Sequence, residues 1–250
     1  VEGVQAGKFF ARVRNDSWRA TLLHSLRDET IPGSSYATLF NDNRHREADN
    51  YTLAEVANDH KLNRENTLHT RLYAGKYTYK GDFPYDYPPY VLNQDRATGQ
   101  WWGLESRLLN TSWQGQRWTA GVEYKGNTRQ NQKNEDVGYG CYNVGDAVCL
   151  DDRRKSRLFS IYAQDEITIG DSTYLTLGLR YDRQNDMPGH WSPRLGLVHQ
   201  NGSGGTFKFL YATAFSDPTV FQRFYTPPTF STGNPDLVPE RMRSIDLTWE

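Results

Sequence analysis

Two stretches of the sequence carry side chains suited to holding a small ligand. Aromatic rings stack on planar groups, and guanidinium groups bind anions. One stretch is the run DFPYDYPPY, and the other is RFY in the last third of the chain. The candidate ligand-binding residues are Tyr85, Tyr87, Tyr90, Arg223, Phe224 and Tyr225. Packing within the connecting segments is the alternative role for each of them.

The sequence does not favour an enzyme. It contains no GxSxG, HExxH or P-loop motif, and its six histidines are scattered singly. Asp165 and Glu166 are adjacent, so on a strand they point to opposite faces and cannot work as a paired acid and base. Asp151 and Asp152 are interpreted as solvated charge in a loop. We therefore predict no catalytic site, no metal site and no resident cofactor.

Cys141 and Cys149 are the two cysteines of the chain. They lie in a segment rich in glycine and tyrosine, without a CxxC motif or a nearby histidine. A local disulfide is favoured over two free thiols and would indicate an oxidising compartment. A zinc site is poorly supported, because two cysteines do not fill a tetrahedral shell.

The composition restricts the class of protein. Of the 250 residues, 36% are hydrophobic and 14% are aromatic, which suits strands with one thin apolar face and one wet face. The formal charge of -1 and the absence of a long single-sign block argue against a nucleic-acid partner. No apolar run is long enough for a transmembrane helix. This does not exclude a membrane β-barrel, whose strands alternate apolar and polar residues. The start, VEGVQAGKFF, does not resemble a signal peptide, so we expect a soluble protein or an internal piece of a longer one.

The clearest structural pattern is the alternation in residues 158–182. Leu175, Leu177 and Leu179 fall on one parity, whereas Thr176 and Arg180 fall on the other. A period of two predicts strands, and residues 169–172 supply a tight turn between them. The same pattern recurs along the chain and predicts about eleven strands.

Connections between the predicted strands alternate between short and long. The long ones are predicted at residues 30–47, 80–99, 129–153 and 216–239. Prolines at 84, 88 and 89 indicate an exposed loop in the second of these. Short turns at one rim and long loops at the other are typical of an up-and-down transmembrane barrel. A soluble antiparallel sheet with its charged face in water is the alternative.

Several motifs in the second half of the chain occur in a characteristic order. They are IYAQDE at 161–166, LTLGLRYD at 175–182, SPRLGL at 192–197, YATAF at 211–215 followed by Pro218, and GNPDLVPE at 233–240. Together they resemble the C-terminal half of the barrel in TonB-dependent outer-membrane receptors. The segments RDETIPGSSYATLFND and KYTYKGDFPYD resemble the same family more loosely.

The resemblance implies an all-β, antiparallel transmembrane barrel of about 22 strands in which residues 1–250 form part of one barrel domain. Its location would be the bacterial outer membrane, with lipid against its outer wall. The family imports scarce ligands such as ferric siderophores or cobalamin, and TonB supplies the energy through a box ahead of an N-terminal plug. We expect an internal fragment of about eleven strands without plug or TonB box, with ligand contacts in the long loops. A passive outer-membrane channel and a soluble β-rich binding module are the alternative functions.

Overall fold

The computed structural model describes residues 3–86, 90–138, 150–202, 204–226 and 233–250. These residues form one antiparallel sheet in which each of eleven strands pairs with the next in sequence. The strands are β1 (Gly3–Arg14), β2 (Trp18–Thr30), β3 (Arg46–Lys61), β4 (Asn66–Tyr85), β5 (Val91–Asn110), β6 (Gln116–Asp136), β7 (Leu150–Ile169), β8 (Thr173–Gln184), β9 (His190–Gln200), β10 (Thr206–Ser216) and β11 (Glu240–Trp249). The predicted all-β, up-and-down architecture is confirmed.

The hairpin predicted from residues 158–182 is present as β7 and β8. Its closing pair is Ile169 opposite Thr173, and Gly170 adopts a φ of 61° in the turn. A positive φ is readily adopted by glycine, which explains its place in this short connection. The alternation is therefore a true division between the two faces of the sheet.

The two faces of the sheet differ sharply in polarity. On the outer face, large apolar side chains are exposed, including Leu72, Leu104, Val122, Ile161 and Leu179. The inner face carries charged, amide and hydroxyl groups, which are described below. Within the described ranges, no helix is both long enough and apolar enough to cross a bilayer.

Two of the predicted loops are wrong in extent, because strands occupy 15 of the 20 residues of one and 12 of the 25 residues of the other. The segment 80–99 contains the end of β4 and the start of β5, and the segment 129–153 contains the end of β6 and the start of β7. These four strands extend the sheet well beyond its neighbours at one rim. They are 20 or 21 residues long, whereas β8 to β11 have 10 to 12 residues.

Pro84 lies inside β4 and is fully buried, contrary to the prediction of an exposed loop. Its carbonyl accepts a hydrogen bond of 2.9 Å from the backbone N–H of Leu39, so it points away from β5. The missing N–H of Pro84 lies on the same side, where β3 has already ended, since its first residue Arg46 pairs with Asp82. The proline therefore removes no hydrogen bond from the sheet.

The ends of the sheet are β1 and β11, which are not paired with each other. On one rim the strands are joined by brief turns, as between β7 and β8. On the other rim are the connections 31–45 and 217–239, and the second contains helix α1 (Val220–Phe224). The arrangement is the open partial barrel that the sequence predicts.

Candidate functional site

Arg71 is the centre of a charged cluster on the inner face. Its Nε lies 3.1 Å from Glu105, and its terminal nitrogens lie 3.5 Å from Glu55 and 3.6 Å from Glu123. Arg180 approaches the other oxygen of Glu123 at 3.0 Å. These residues come from β3, β4, β5, β6 and β8, so the ion pairs connect five strands across the inner wall.

Hydroxyl groups complete this inner cluster. Tyr73 donates a 2.9 Å hydrogen bond to Glu123, and Tyr162 donates one of 2.6 Å to Glu105. Because each carboxylate is both paired with an arginine and hydrogen-bonded, the charges on this half-buried wall are compensated. The cluster makes the inner face polar, but it does not resemble a catalytic centre.

A bulge in β6 determines which residues face inward above the cluster. Gln100 pairs with Arg129 while Trp101 pairs with Asn127, which leaves Thr128 as an extra residue. An extra residue reverses the alternation beyond it. Gln132 and Asn134 therefore face inward, and both are buried.

The connection 217–239 folds against this upper inner wall through Tyr225. The Tyr225 hydroxyl donates a 2.6 Å hydrogen bond to Oδ2 of Asp95 and accepts one of 3.1 Å from the Asn134 amide. Gln132 donates a 3.2 Å hydrogen bond to the backbone carbonyl of Val220 in α1. Burial, reinforced by the hydrogen bond to Asp95, raises the pKa of Tyr225 above its ordinary value, so its phenol stays protonated and donates.

Two guanidinium groups lie close to the ring of Phe224 beside this contact. The Cζ atom of Arg154 in β7 is 3.2 Å from the ring centroid, and that of Arg223 is 4.6 Å from it. Arg154 also donates a 2.7 Å hydrogen bond to Asp152. An aromatic ring flanked by cations is suited to an anionic ligand that has a planar portion.

The GNPDLVPE segment packs against the first half of the connection 217–239. Gly233 donates a 2.9 Å backbone hydrogen bond to Tyr225, and Asn234 donates one of 3.0 Å to Gln222. The Arg223 guanidinium donates to the carbonyl of Pro235 at 3.1 Å. A Cβ on Gly233 would lie 2.7 Å from the Arg223 carbonyl oxygen, so this close approach needs glycine. The segment therefore positions α1 and Tyr225.

Tyr90 belongs to a second aromatic and cationic group, on the connection after β4. The guanidinium of Arg44 lies 4.3 Å from the Tyr90 ring centroid and donates a 2.8 Å hydrogen bond to Asp42. That hydrogen bond lowers the pKa of Asp42 to about 2. Tyr90 is 39% exposed, so one part of its ring stays accessible beside the cation.

Five of the six predicted ligand-binding residues are described, and they fall into two groups. Arg223, Phe224 and Tyr225 are gathered at the inner wall, whereas Tyr90 lies with Arg44. Tyr85 is buried at the end of β4, close enough to raise the pKa of Tyr225. Tyr87 lies outside the described residues. Ligand binding by these six residues stays a prediction.

Sequence reasoning missed the wall residues that receive the connection. Asp95, Gln132 and Asn134 fell within segments predicted as loops, and Arg154 directly follows one of them, so their inward direction was not visible. Residues 130–136 are polar at every position, so they carry no alternation that could have shown which side chains face inward. Cys141 and Cys149 lie outside the described residues, and their disulfide stays a prediction. Among the described residues, no group of three or more His, Cys, Asp or Glu side chains is placed to hold a metal ion.

Comparison with known proteins gives one family and several relatives. The family model for the TonB dependent receptor-like β-barrel matches residues 5–250. A probable TonB-dependent siderophore receptor, PirA of Acinetobacter baumannii, is 33% identical over 101 residues, which are 40% of this chain and 13% of that receptor. The ferrienterobactin receptor of Escherichia coli is 34% identical over 80 residues, which are 31% of this chain and 11% of the receptor.

Among solved structures, the siderophore receptor PirA from Acinetobacter baumannii superposes with a TM-score of 0.68 and 18% sequence identity. The match covers 99% of this chain and 41% of that receptor chain, so the present chain spans less than half the length of that protein. At this identity the superposition shows the fold alone. The relatives named here are receptors and not enzymes, which agrees with the prediction that the chain has no catalytic site.

Proposed function

Because this chain belongs to the TonB-dependent receptor-like β-barrel family, we propose that it is part of an outer-membrane receptor for TonB-energised uptake of a ferric siderophore. The family's barrels are outer-membrane proteins of Gram-negative bacteria. The relatives described above are named as receptors for siderophores or for ferric enterobactin. The exposed apolar outer face is suited to contact with membrane lipid. The soluble-module alternative is not supported.

The observation that carries the ligand assignment is the arrangement around Phe224. Its ring is flanked by the guanidinium groups of Arg154 and Arg223 on the inner side of the sheet. Ferric chelates with aromatic iron-binding groups are planar in part and anionic, so stacking and charge would act together on them. We place a ligand contact here, and a second one at the accessible face of Tyr90.

The proposed partners follow from the same assignment. Lipid would contact the outer face, and TonB would act through the part of the full-length receptor that carries its plug and TonB box. Cys141 and Cys149 would form a disulfide in the connection between β6 and β7 and restrain that loop by about 2 to 3 kcal/mol.

Uptake of radioactive iron tests the proposal. The full-length receptor is produced in a bacterium deleted for its own siderophore receptors, with and without functional TonB, and supplied with ferric siderophores one at a time. We expect energy-dependent uptake of at least one chelate, which stops without TonB. Uptake that is unaffected by loss of TonB would favour the passive-channel alternative. A receptor that does not fractionate with the outer membrane would contradict the localisation.

A further inference from the structure

One row of side chains crosses the outer face near the rim of short turns. Register places its members directly opposite one another on consecutive strands, so they share one face of the sheet. From β6 to β10 they are Trp118, Asp165, Leu177, Leu195 and Tyr211. A carboxylate is thus inserted into an otherwise apolar and aromatic row.

A groove of about 520 Å³ lies along this row. Ala163 and Pro193 line it in the next row toward the middle of the sheet, together with Leu179. Ala163 and its partner Ala120 on β6 are both small, which makes the depression beside Leu179. The groove is open to the outside and therefore accessible to a molecule lying against the outer wall.

One oxygen of the Asp165 carboxylate lacks a hydrogen-bond partner in the part of the chain that the structure describes. This oxygen, Oδ1, is buried. Its sequence neighbour Glu166 points to the other face, where Arg117 donates to it at 2.9 Å. Placing a carboxylate in an apolar groove without a partner is costly, so the site favours a cation that can donate a hydrogen bond.

The depth of Asp165 indicates where that cation would come from. Asp165 precedes the turn at Gly170 by five positions, which places it about 12 Å from the rim for a strand tilted by about 45°. Trp118 and Tyr211 lie in the same row, and such aromatic residues concentrate at membrane interfaces. This is the level of phospholipid headgroups and of the first part of their acyl chains.

We propose that Asp165 binds the ammonium group of an ethanolamine phospholipid, whose acyl chain lies in the groove along Ala163, Leu179 and Pro193. The inference rests on the proposed function, since it requires that the sheet spans the outer membrane. A primary ammonium donates hydrogen bonds to Oδ1, whereas a choline headgroup carries no N–H. The Trp118 ring, directly opposite Asp165 on the adjacent strand, adds cation–π attraction. An anionic headgroup without an amine is repelled by Asp165.

Lipid retention by the full-length receptor tests this assignment. The receptor is purified in mild detergent, mixed with equal amounts of ethanolamine, choline and glycerol phospholipids of matched chains, and examined by native mass spectrometry. Asp165→Asn is compared with Asp171→Asn, which removes a carboxylate from the exposed turn of the same hairpin. We expect the wild type and Asp171→Asn to retain the ethanolamine lipid preferentially. In Asp165→Asn, we expect the ratio of retained ethanolamine lipid to the other two lipids to fall about fivefold.

Two results would overturn the proposal. One is equal retention of the three lipids by the wild type, and the other is an unchanged preference in Asp165→Asn. The binding of a ferric siderophore, measured on the same samples, separates this inference from the proposed function. Intact chelate binding without lipid preference contradicts only the Asp165 site, whereas failure of the receptor to fold as a membrane barrel contradicts both.

Discussion

Tyr225 and Asp95 are 130 positions apart in the chain and are joined by a hydrogen bond of 2.6 Å. Tyr225 follows α1 in the connection 217–239, and Asp95 lies near the start of β5 on the inner face. Asn134 donates to the same hydroxyl, so two strands hold one tyrosine. This contact positions Arg223 and Phe224 above the inner wall, and it makes their arrangement testable.

Replacing Tyr225 with Phe removes the hydroxyl and keeps the ring. Asp95 and Asn134 then lose a partner, which we expect to weaken docking of the connection by about 1 to 3 kcal/mol. Faster amide hydrogen exchange in residues 219–226 of the full-length receptor measures this loss. Tyr90→Phe is the matched control, because the contact of its ring with Arg44 does not need the hydroxyl. Equal protection in both variants would contradict the role of Tyr225.

Gly233→Ala tests the close backbone contact between Gly233 and Arg223, at the C-terminal end of the connection 217–239. The added Cβ would meet the Arg223 carbonyl oxygen at 2.7 Å, so the two backbone segments must move apart. We expect overpacking to cost about 1 to 3 kcal/mol and to release residues 222–226. Gly202→Ala is the control, since nothing lies within 4 Å of a Cβ there. Limited proteolysis compares the two; cleavage at equal rates would count against the close approach.

Asp42 gives the connection 31–45 a dependence on pH. Its hydrogen bond with Arg44 lowers the pKa of Asp42 from 3.8 to about 2 in the folded protein. The stabilisation is thus fully present above about pH 4 and is lost as pH falls toward 2. Pepsin cleavage of this connection should accelerate across that interval in the wild type relative to Asp42→Asn. A constant ratio of the two rates between pH 4 and pH 2 would show that Asp42 contributes nothing.

Arg71→Gln leaves three glutamates of the inner wall without their shared cation. Glu55, Glu105 and Glu123 then repel one another, and we expect the unfolding midpoint in urea to fall by an amount equivalent to about 1 to 3 kcal/mol. Adding Glu123→Gln should restore part of the loss. Arg19→Gln is the control, since its contact with Glu55 is a longer one of 3.8 Å. A double variant less stable than Arg71→Gln would contradict the repulsion.

The alternation of apolar and polar residues predicted the number of strands and the hairpin of β7 and β8, because one face of each strand is apolar. The same criterion failed in VLNQDRATGQ and RQNQKNED, which are the ends of β5 and β6 at the extended rim. Both faces of those segments are polar, so no apolar period exists to be found. Pro84 also favoured a loop in the sequence analysis, because proline is excluded from central strands. The sheet shows that β3 ends before it reaches Pro84, and this cannot be read from the sequence.

The candidate site was predictable in residue type and not in geometry. The run RFY indicated an aromatic and cationic group, and the structure adds Arg154 from β7 to it. The pairing of Tyr225 with Asp95 depends on a bulge in β6 and on the path of a connection between β10 and β11. Neither is encoded in a local pattern, because both arise from the relative placement of distant segments.

Phe224→Leu separates ligand contact from loop packing at the site. The substitution keeps an apolar side chain but removes the aromatic ring that Arg154 and Arg223 both approach. If the proposed function holds, we expect affinity for the transported ferric siderophore to fall by about fivefold to tenfold, the size of a partly desolvated stacking or cation–π contact. Hydrogen exchange in residues 219–226 should stay at the wild-type level, because the hydrogen bonds of Tyr225 are retained.

Phe221→Leu is the matched control for that measurement. Phe221 stacks on Tyr225 with ring centroids 4.5 Å apart and is 53% exposed, but no guanidinium group flanks it among the described residues. Equilibrium binding of the chelate to the purified full-length variants gives the comparison. Loss of affinity together with loss of protection in Phe224→Leu would assign the ring to packing. Unchanged affinity in both variants would remove Phe224 from the binding surface, because an aromatic face that contacts the chelate cannot be deleted without cost.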